Sequence, residues 1–153
     1  MPLPGEKVLI AGGGTGFAPL FFLAKYLNGQ GFYPDIVLGF RNRNKIIVSD
    51  ELAGFGNVSI TTEDGSEGIK GIVTDHPVFK NKKFDRIYCC GPRLMMKAVE
   101  DYAKSNRINC EVSLENLMAC GIGICLCCIE RTTHGNLCTC TDGPVFNINE
   151  LLW

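Results

Sequence analysis

The sequence lacks a surplus of charge of either sign. Its 15 lysines and arginines are balanced by 16 aspartates and glutamates, and the formal net charge is −1. A nucleic-acid-binding domain would need a basic patch, and a disordered acidic tail would need a block of like charges. Neither class is indicated, and 153 residues are enough for one domain with a core plus a small appendage.

Long apolar runs are also missing. The stretch from Val8 to Ala24 carries no charge, but four glycines and Pro19 interrupt it. A membrane-spanning helix needs about 20 consecutive, predominantly apolar residues. The stretch is therefore predicted to form a strand, a turn and a helix, and no association with a membrane is expected.

A secretory signal and an even set of cysteines are absent as well. The chain has nine cysteines, an odd number that cannot pair completely within one molecule. Without an export signal, this number is more typical of metal ligation in a reducing compartment than of a disulfide framework. A cytoplasmic protein is expected.

Three of the cysteines have an informative spacing. Cys120, Cys125 and Cys128 are separated by four residues and then by two. This is the ligand spacing of a plant-type [2Fe–2S] loop. Such a loop must wrap around the cluster with its backbone N–H groups directed at the sulfur atoms. Gly121 and Gly123 suit this task, because glycine accepts positive φ angles and lets the backbone approach closely.

A fourth thiolate is needed downstream, and the sequence offers Cys138 and Cys140. A tetrahedral zinc site also takes four thiolates, but structural zinc sites usually pair their ligands in two short hairpins, which this spacing fits poorly. Buried, inert thiols account for some of the other cysteines but not for four at this spacing. An iron–sulfur cluster is therefore the preferred interpretation.

The rest of the chain alternates between short apolar runs and helical patterns. This alternation is typical of a parallel sheet covered on both faces, so the predicted class is α/β with a five-stranded parallel sheet and a small C-terminal [2Fe–2S] domain. The predicted strands span residues 7–11, 35–40, 58–62, 86–90 and 110–114, and the helices residues 19–27 and 94–105, with a short helix between 41 and 56.

A glycine-rich turn, Gly12–Gly16, follows the first predicted strand. Bare backbone N–H groups and the dipole of the next helix favour an anion there, such as a phosphate. The dinucleotide fingerprint is incomplete, because Phe17 occupies the third glycine position and the next strand ends in Phe40 and Arg41 rather than an acid. A simple tight turn remains an alternative, and Arg41 and Arg43 could reach the 2′-phosphate of NADP.

Together the motifs resemble the nicotinamide-binding domain of the ferredoxin reductase superfamily. The resemblance rests on GGGTGFAP at residues 12–19, TEDGS at 62–66 and CGP at 90–92. It implies that NAD binds here, with Cys90 beside the nicotinamide ring as a catalytic residue, and NADP is not excluded. The implied cofactor-binding residues are Gly12, Gly13, Gly14, Thr15, Gly16, Asp64, Gly65, Cys90, Gly91 and Pro92.

The C-terminal motifs are more specific. SLENLMACGIGIC at residues 113–125 and DGPVF at 142–146 resemble the iron–sulfur end of the electron transfer subunits of NAD-dependent dihydroorotate dehydrogenases. In that family the last cluster cysteine stands just before the DGPVF run. The implied metal ligands are Cys120, Cys125, Cys128 and Cys140.

This assignment leaves Cys127 and Cys138 as extra thiols. Related modules of sulfide dehydrogenase and ferredoxin:NADP oxidoreductase commonly carry an aspartate where Cys120 stands, so the cysteine favours the dihydroorotate family. The implied domains are residues 1–112 for the nicotinamide dinucleotide and residues 113–153 for the cluster.

Members of this family carry an FAD-binding β-barrel before the nicotinamide domain, and this sequence has no counterpart of it. The resemblance implies an oxidoreductase subunit of pyrimidine biosynthesis. It would pass electrons between an FMN-containing dihydroorotate dehydrogenase catalytic subunit and NAD, through the cluster and an FAD on the barrel domain. The isolated chain is expected to be inactive. Alternatives are an equivalent module of a ferredoxin:NAD(P) oxidoreductase or sulfide dehydrogenase complex, or a non-enzymatic metal-binding redox protein.

Overall fold

The computed structural model describes residues 1–153 and contains nine strands. They are β1 (Val8–Gly13), β2 (Asp35–Phe40), β3 (Asn57–Thr62), β4 (Ile69–Lys70), β5 (Arg86–Cys90), β6 (Asn109–Ser113), β7 (Ile129–Thr132), β8 (Gly135–Cys138) and β9 (Val145–Asn147). Seven of them form one sheet in the order β4-β3-β2-β1-β5-β6-β9. Every neighbouring pair in this sheet is parallel except β6 and β9. β7 and β8 form a separate antiparallel hairpin.

Helices cover both faces of the main sheet. They are α1 (Phe17–Gly29), α2 (Val78–Asn81) and α3 (Arg93–Asn106), with short 3-10 turns at Gly14–Gly16, Arg43–Lys45, Asp50–Gly54 and Val73–Asp75. Successive side chains of a strand point to opposite faces. Accordingly, Ile10 of β1 packs in one core with Leu27 of α1, whereas Leu9 packs in the other core with Val99 of α3. The predicted α/β class is confirmed.

All five predicted strands are present, with ends that shift by at most two residues. α1 begins at Phe17, before Pro19, which is compatible with a helix because a first-turn residue has no intrahelical N–H bond to lose. None of the three helices combines the length and apolar character that a membrane crossing requires.

The short helix predicted between residues 41 and 56 is present as two 3-10 helices. The second is capped by Ser49, whose Oγ accepts the N–H of Glu51 at 3.2 Å. β4 and β9 escaped prediction because strands of two and three residues leave no alternating pattern to detect.

The carboxyl ends of the parallel strands determine where ligands can bind. β1 leads into the turn Gly14–Gly16, β3 into the loop that starts at Glu63, and β5 into the turn at Gly91. In a parallel sheet these ends share one edge, which is where open α/β sheets bind ligands. β6 ends at the same edge and continues into the cysteine-rich segment, and β9 returns beside it with Phe146 opposite Val112. Both predicted sites therefore lie at one end of the molecule.

Candidate functional site

The glycine-rich turn lies directly against the turn that follows β5. A Cβ atom on Gly16 would collide with the backbone carbonyl of Cys90, and one on Gly91 would lie 2.9 Å from the backbone nitrogen of Gly13. Such contacts are possible only where side chains are absent. α1 begins immediately afterwards at Phe17, so the N–H groups of its first turn, which have no partner within the helix, lie at the same place. The structure therefore brings two of the predicted loops together.

A cleft of about 690 Å³ opens beside this contact. Gly13, Gly14, Thr15 and Pro92 line it, and a neighbouring crevice of about 340 Å³ shares these four and adds Gly91. Gly12 and Gly16 are buried beneath the surface of the turn. The predicted glycine loop thus forms the floor of a cleft large enough for part of a dinucleotide.

Cys90 lies below the cleft rather than in its wall. Its side chain is completely buried. Burial raises the pKa of the Cys90 thiol to about 11, and the nearby carboxylate of Glu115 adds to the shift. The thiol is therefore neutral at physiological pH. Its catalytic role stays a prediction, because the residues of this turn that reach the neighbouring crevice are Gly91 and Pro92.

In the loop after β3, the aspartate Asp64 is hydrogen-bonded within the loop itself. Asp64 Oδ1 accepts the N–H of Ser66 at 2.9 Å and its hydroxyl at 2.6 Å. The hydroxyl bond, followed by the backbone bond, lowers the pKa of the Asp64 carboxyl. Asp64 and Gly65 are exposed and do not line the cleft, whereas Glu63 does. The binding role predicted for Asp64 and Gly65 stays untested, and the loop presents a different carboxylate to the cleft.

Several lining residues escaped the sequence prediction. Lys45 follows β2, and Leu94 and Met95 stand in the first turn of α3. Their one available signal is position, since each follows closely on the carboxyl end of a strand. Of the two arginines considered for a 2′-phosphate, Arg41 lines the cleft. Arg43 does not, and its exposed side chain lies 3.7 Å from the carboxylate of Glu67.

The cysteine-rich loop directs backbone N–H groups at sulfur. The N–H groups of Ile122 and Cys125 donate to the Sγ of Cys120 over 3.5 and 3.4 Å. These two hydrogen bonds lower the pKa of the Cys120 thiol to about 6, and the bond from Cys125 has the larger effect. The thiolate, which is the ligand form, is therefore favoured at neutral pH. Gly121 and Gly123 have φ angles of 71° and 76°, as the tight loop requires.

The four predicted ligands form two pairs. Within each pair a backbone N–H of one cysteine is directed at the sulfur of the other: that of Cys125 at Cys120 Sγ, and that of Cys140 at Cys128 Sγ. The backbone N–H of Cys140 donates to Cys128 Sγ at 3.5 Å and is the main cause of the lowered pKa of Cys128.

Two thiolates per metal is the ligand arrangement of a [2Fe–2S] centre. The donor set therefore fits a binuclear iron–sulfur cluster better than zinc.

The two extra thiols differ from each other. Cys127 is exposed, whereas Cys138 is half-buried, with its Sγ 3.9 Å from the carbonyl oxygen of Gly123. Burial raises the pKa of the Cys138 thiol, and its neighbour Cys128 adds to the shift. Residues 138–142 form a tight turn, closed by the N–H of Asp142 donating to the carbonyl of Cys138 at 2.8 Å. Cys138 therefore lies beside the predicted ligands.

Two family models match the chain. Residues 9–101 match the oxidoreductase NAD-binding domain, which is more than half of the sequence. The chain belongs to the oxidoreductase NAD-binding domain family. Residues 115–152 match the iron-sulfur cluster binding domain of dihydroorotate dehydrogenase B. The two matches support NAD and an iron–sulfur cluster as the cofactors of this family member.

Relatives of this family member share both halves of its sequence. The chain is 41% identical, over 99% of its length, to the dihydroorotate dehydrogenase B (NAD(+)) electron transfer subunit of Caldanaerobacter subterraneus subsp. tengcongensis. It is 42% identical, over 92% of its length, to the subunit of the same name from Clostridium perfringens. The chain spans 61% and 57% of the length of these two relatives. The resemblance to this group of subunits is confirmed.

Solved structures show the same fold. The chain superposes on the NADH-dependent reduced ferredoxin-NADP oxidoreductase with a TM-score of 0.85 and 35% identity, covering 96% of this chain and 54% of the other. A flavohemoglobin from Malassezia yamatoensis is 17% identical with a TM-score of 0.56, covering 71% of this chain and 30% of the other. The second likeness shows a shared fold alone.

Proposed function

We propose that this chain is the nucleotide- and cluster-binding part of an electron transfer subunit of dihydroorotate dehydrogenase B. It passes electrons between NAD and an FMN-containing catalytic subunit in pyrimidine biosynthesis. The observation that carries the proposal is the presence of two cysteine pairs, each with a backbone N–H directed at sulfur, and a glycine-floored cleft at one edge of the same sheet. The identity of about 41% to subunits of this name supports it.

The nucleotide half binds and orients. Gly13, Gly14 and Thr15 offer backbone N–H groups to a pyrophosphate at the start of α1. Pro92 and Gly91 close the crevice in which the nicotinamide end would lie. Because Cys90 is buried and neutral, its proposed contribution is the shape of this turn rather than proton transfer.

The cluster half, for which we propose residues 113–153, supplies four thiolates from Cys120, Cys125, Cys128 and Cys140. A bound [2Fe–2S] cluster supplies one-electron transfer. A nicotinamide exchanges a hydride, which carries two electrons, so a flavin that handles both must lie between them. We place that FAD on a separate barrel domain, and the complete path needs that domain as well as the catalytic subunit.

A second candidate is the equivalent module of an NADH-dependent ferredoxin–NADP oxidoreductase. The TM-score of 0.85 to such an enzyme favours it as a related module. The two candidates differ in the electron donor that reaches the cluster, which is dihydroorotate through a catalytic subunit in one and ferredoxin in the other.

The test is assembly followed by assay. The chain is purified anaerobically with an FAD-binding barrel domain and a dihydroorotate dehydrogenase catalytic subunit, and NAD⁺ reduction is followed with dihydroorotate or with reduced ferredoxin as donor. Dihydroorotate-dependent NADH formation, lost in a Cys120→Ser/Cys125→Ser chain, is the expected result. Turnover with ferredoxin alone would favour the second candidate.

A further inference from the structure

One arginine connects the crevice beside the nucleotide cleft to the cysteine-rich half. Arg93 is the first residue of α3 and directly follows the turn at Pro92. Its Nη2 donates to Oε1 of Glu130 in β7 at 2.6 Å, and its Nη1 donates to Oε2 at 3.4 Å. The same side chain lines the crevice that Gly14 and Thr15 also line. Arg93 therefore contacts the cluster half, residues 113–153, and also lines the nucleotide site.

Glu130 extends this contact towards the cysteines. Its carboxylate is only 5% exposed, so it needs compensation by donors. Besides Arg93, the side-chain amide of Asn116 donates to Oε2 at 3.0 Å. The same amide lies 3.1 Å from Oγ1 of Thr139 and 3.4 Å from the carbonyl oxygen of Cys128. Cys128 is a predicted ligand, and Thr139 precedes the predicted ligand at position 140.

A second contact fixes Arg93 from the other side. Its guanidinium carbon lies 5.0 Å from the centroid of the Trp153 ring, which is the distance of a cation–π contact. The indole N–H of Trp153 donates to the carboxylate of Glu100, which is two turns further along α3, about 10 Å at 1.5 Å per residue. The cluster segment is thus attached to α3 at two points, and one of them is Arg93.

We propose that Arg93 is a positioning residue that couples occupancy of the nucleotide cleft to the environment of the cluster, an inference that rests on the function proposed above. A guanidinium has five N–H donors, and Glu130 takes two of them. An anionic pyrophosphate bound at the start of α1 attracts the same Arg93 guanidinium and competes with Glu130 for its positive charge. The Glu130 carboxylate is then less well compensated, and its negative charge disfavours reduction of the cluster.

Nucleotide binding should therefore lower the midpoint potential of the cluster. By linkage, reduction of the cluster weakens nucleotide affinity by the same factor. We expect a factor of about five, at the lower end of typical coupling between two sites, which for one electron corresponds to about 40 mV.

The experiment is a redox titration of the cluster-loaded chain, followed by electron paramagnetic resonance, with and without ADP-ribose. This probe carries the pyrophosphate but no nicotinamide, so no hydride chemistry intervenes. Dissociation constants of ADP-ribose for the oxidised and reduced chain give the same coupling independently. The variants are Arg93→Met, Arg93→Met/Glu130→Gln and Arg93→Lys. The double variant avoids a buried carboxylate without a partner, so it folds even if the single one does not.

Lys82→Met is the matched control, because it breaks an ion pair of 2.7 Å with Asp35 at the amino end of β2, away from the cleft. Wild type and control should show the fivefold coupling, the double variant none, and Arg93→Lys an intermediate value, since lysine lacks the planar fork. Full coupling in the double variant overturns the proposal. Binding of both ligands by wild type without any shift overturns the coupling alone, whereas failure to bind cluster or nucleotide overturns the proposed function and the coupling with it.

Discussion

The backbone N–H of Cys140 donates to the Sγ of Cys128 across 3.5 Å. Cys128 precedes β7 and Cys140 follows β8, so the hairpin formed by these two strands brings the two cysteines of the second pair together. The first pair is closed within a single loop by the N–H of Cys125 donating to Cys120 at 3.4 Å. The two pairs therefore depend on different parts of the chain, and ligand changes in them should have different effects.

Cys140→Ser should leave a partly occupied cluster with an altered spectrum. Cys138 pairs across the β7–β8 hairpin with Ile129, the residue after Cys128, and can replace the lost thiolate after a small shift of the turn. Iron and sulfide content, visible absorption and electron paramagnetic resonance measure the outcome. Cys127→Ser and Cys138→Ser should retain the native spectrum, and the Cys138→Ser/Cys140→Ser chain should bind no cluster. If Cys138→Ser alone removed the cluster, the fourth ligand would be Cys138.

Gly16→Ala should weaken both the fold and the nucleotide site. The added Cβ would collide with the carbonyl of Cys90, and backbone shifts of this kind typically cost about 1–3 kcal/mol of unfolding free energy. Because the two turns that line the cleft must separate, NAD affinity should fall about tenfold, equivalent to about 1.4 kcal/mol. Urea unfolding and calorimetric titration measure the two effects.

Gly29→Ala is the control for that change. Gly29 is the last residue of α1, and a Cβ there meets nothing within 4 Å. We expect unchanged NAD affinity and stability that is equal or higher by about 0.5 kcal/mol, because alanine reduces the freedom of the unfolded chain. Equal losses in the two variants would contradict the close contact at Gly16.

Stability should fall at alkaline pH through the Cys90 thiol. Burial raises its pKa to about 11 in the folded chain, whereas an unfolded cysteine titrates near about 8.5. The folded state therefore holds the proton more tightly. The stabilisation is complete below about pH 8.5 and is lost as the pH rises towards 11, by at most about 1.4 kcal/mol per pH unit for this one group.

Urea unfolding of the reduced chain between about pH 8 and pH 10 tests this titration. Wild type should lose stability more steeply than Cys90→Ala, while Cys127→Ala should follow wild type because Cys127 is exposed. Parallel curves for wild type and Cys90→Ala would show that burial does not hold the Cys90 thiol neutral.

The isolated chain should not reduce dyes with NADH. A hydride carries two electrons and a [2Fe–2S] cluster accepts one, so the transfer needs a flavin between them. Dichlorophenolindophenol reduction by the cluster-loaded chain should stay at the level without enzyme, and addition of the FAD-binding domain should raise it. Fast turnover by the chain with no flavin present would refute the proposed electron path.

The positions of the strands and helices could be predicted from the sequence better than the details of the cleft. Strand and helix positions follow from apolar periodicity, and the turn at Gly16 follows from its glycines, so both were accessible. The use of individual side chains in the loop after β3 was not. Asp64 is bound by Ser66 inside its own turn, and Glu63 reaches the cleft instead. Which of the two carboxylates lines the cleft depends on local hydrogen bonds, and these cannot be read from the sequence motif.

The contacts between the two halves were equally inaccessible. Glu130 and Arg93 are 37 positions apart in sequence, and nothing in either neighbourhood indicates that they meet. β9 was missed for a similar reason. A three-residue strand is too short to show an alternating pattern, and it is defined by its hydrogen bonds to β6.

β9 also limits how the cluster half can be exchanged between proteins. Its three residues belong to the cysteine-rich half in sequence, yet they form the edge strand of the nucleotide sheet, with Phe146 opposite Val112. Phe146, Ile148 and Leu151 complete the apolar core beneath α3. A genetic fusion that cut the chain after residue 112 would uncover the edge of β6 and open this core to water. Recombination that exchanges the cluster half between proteins would therefore have to supply a matching edge strand for β6.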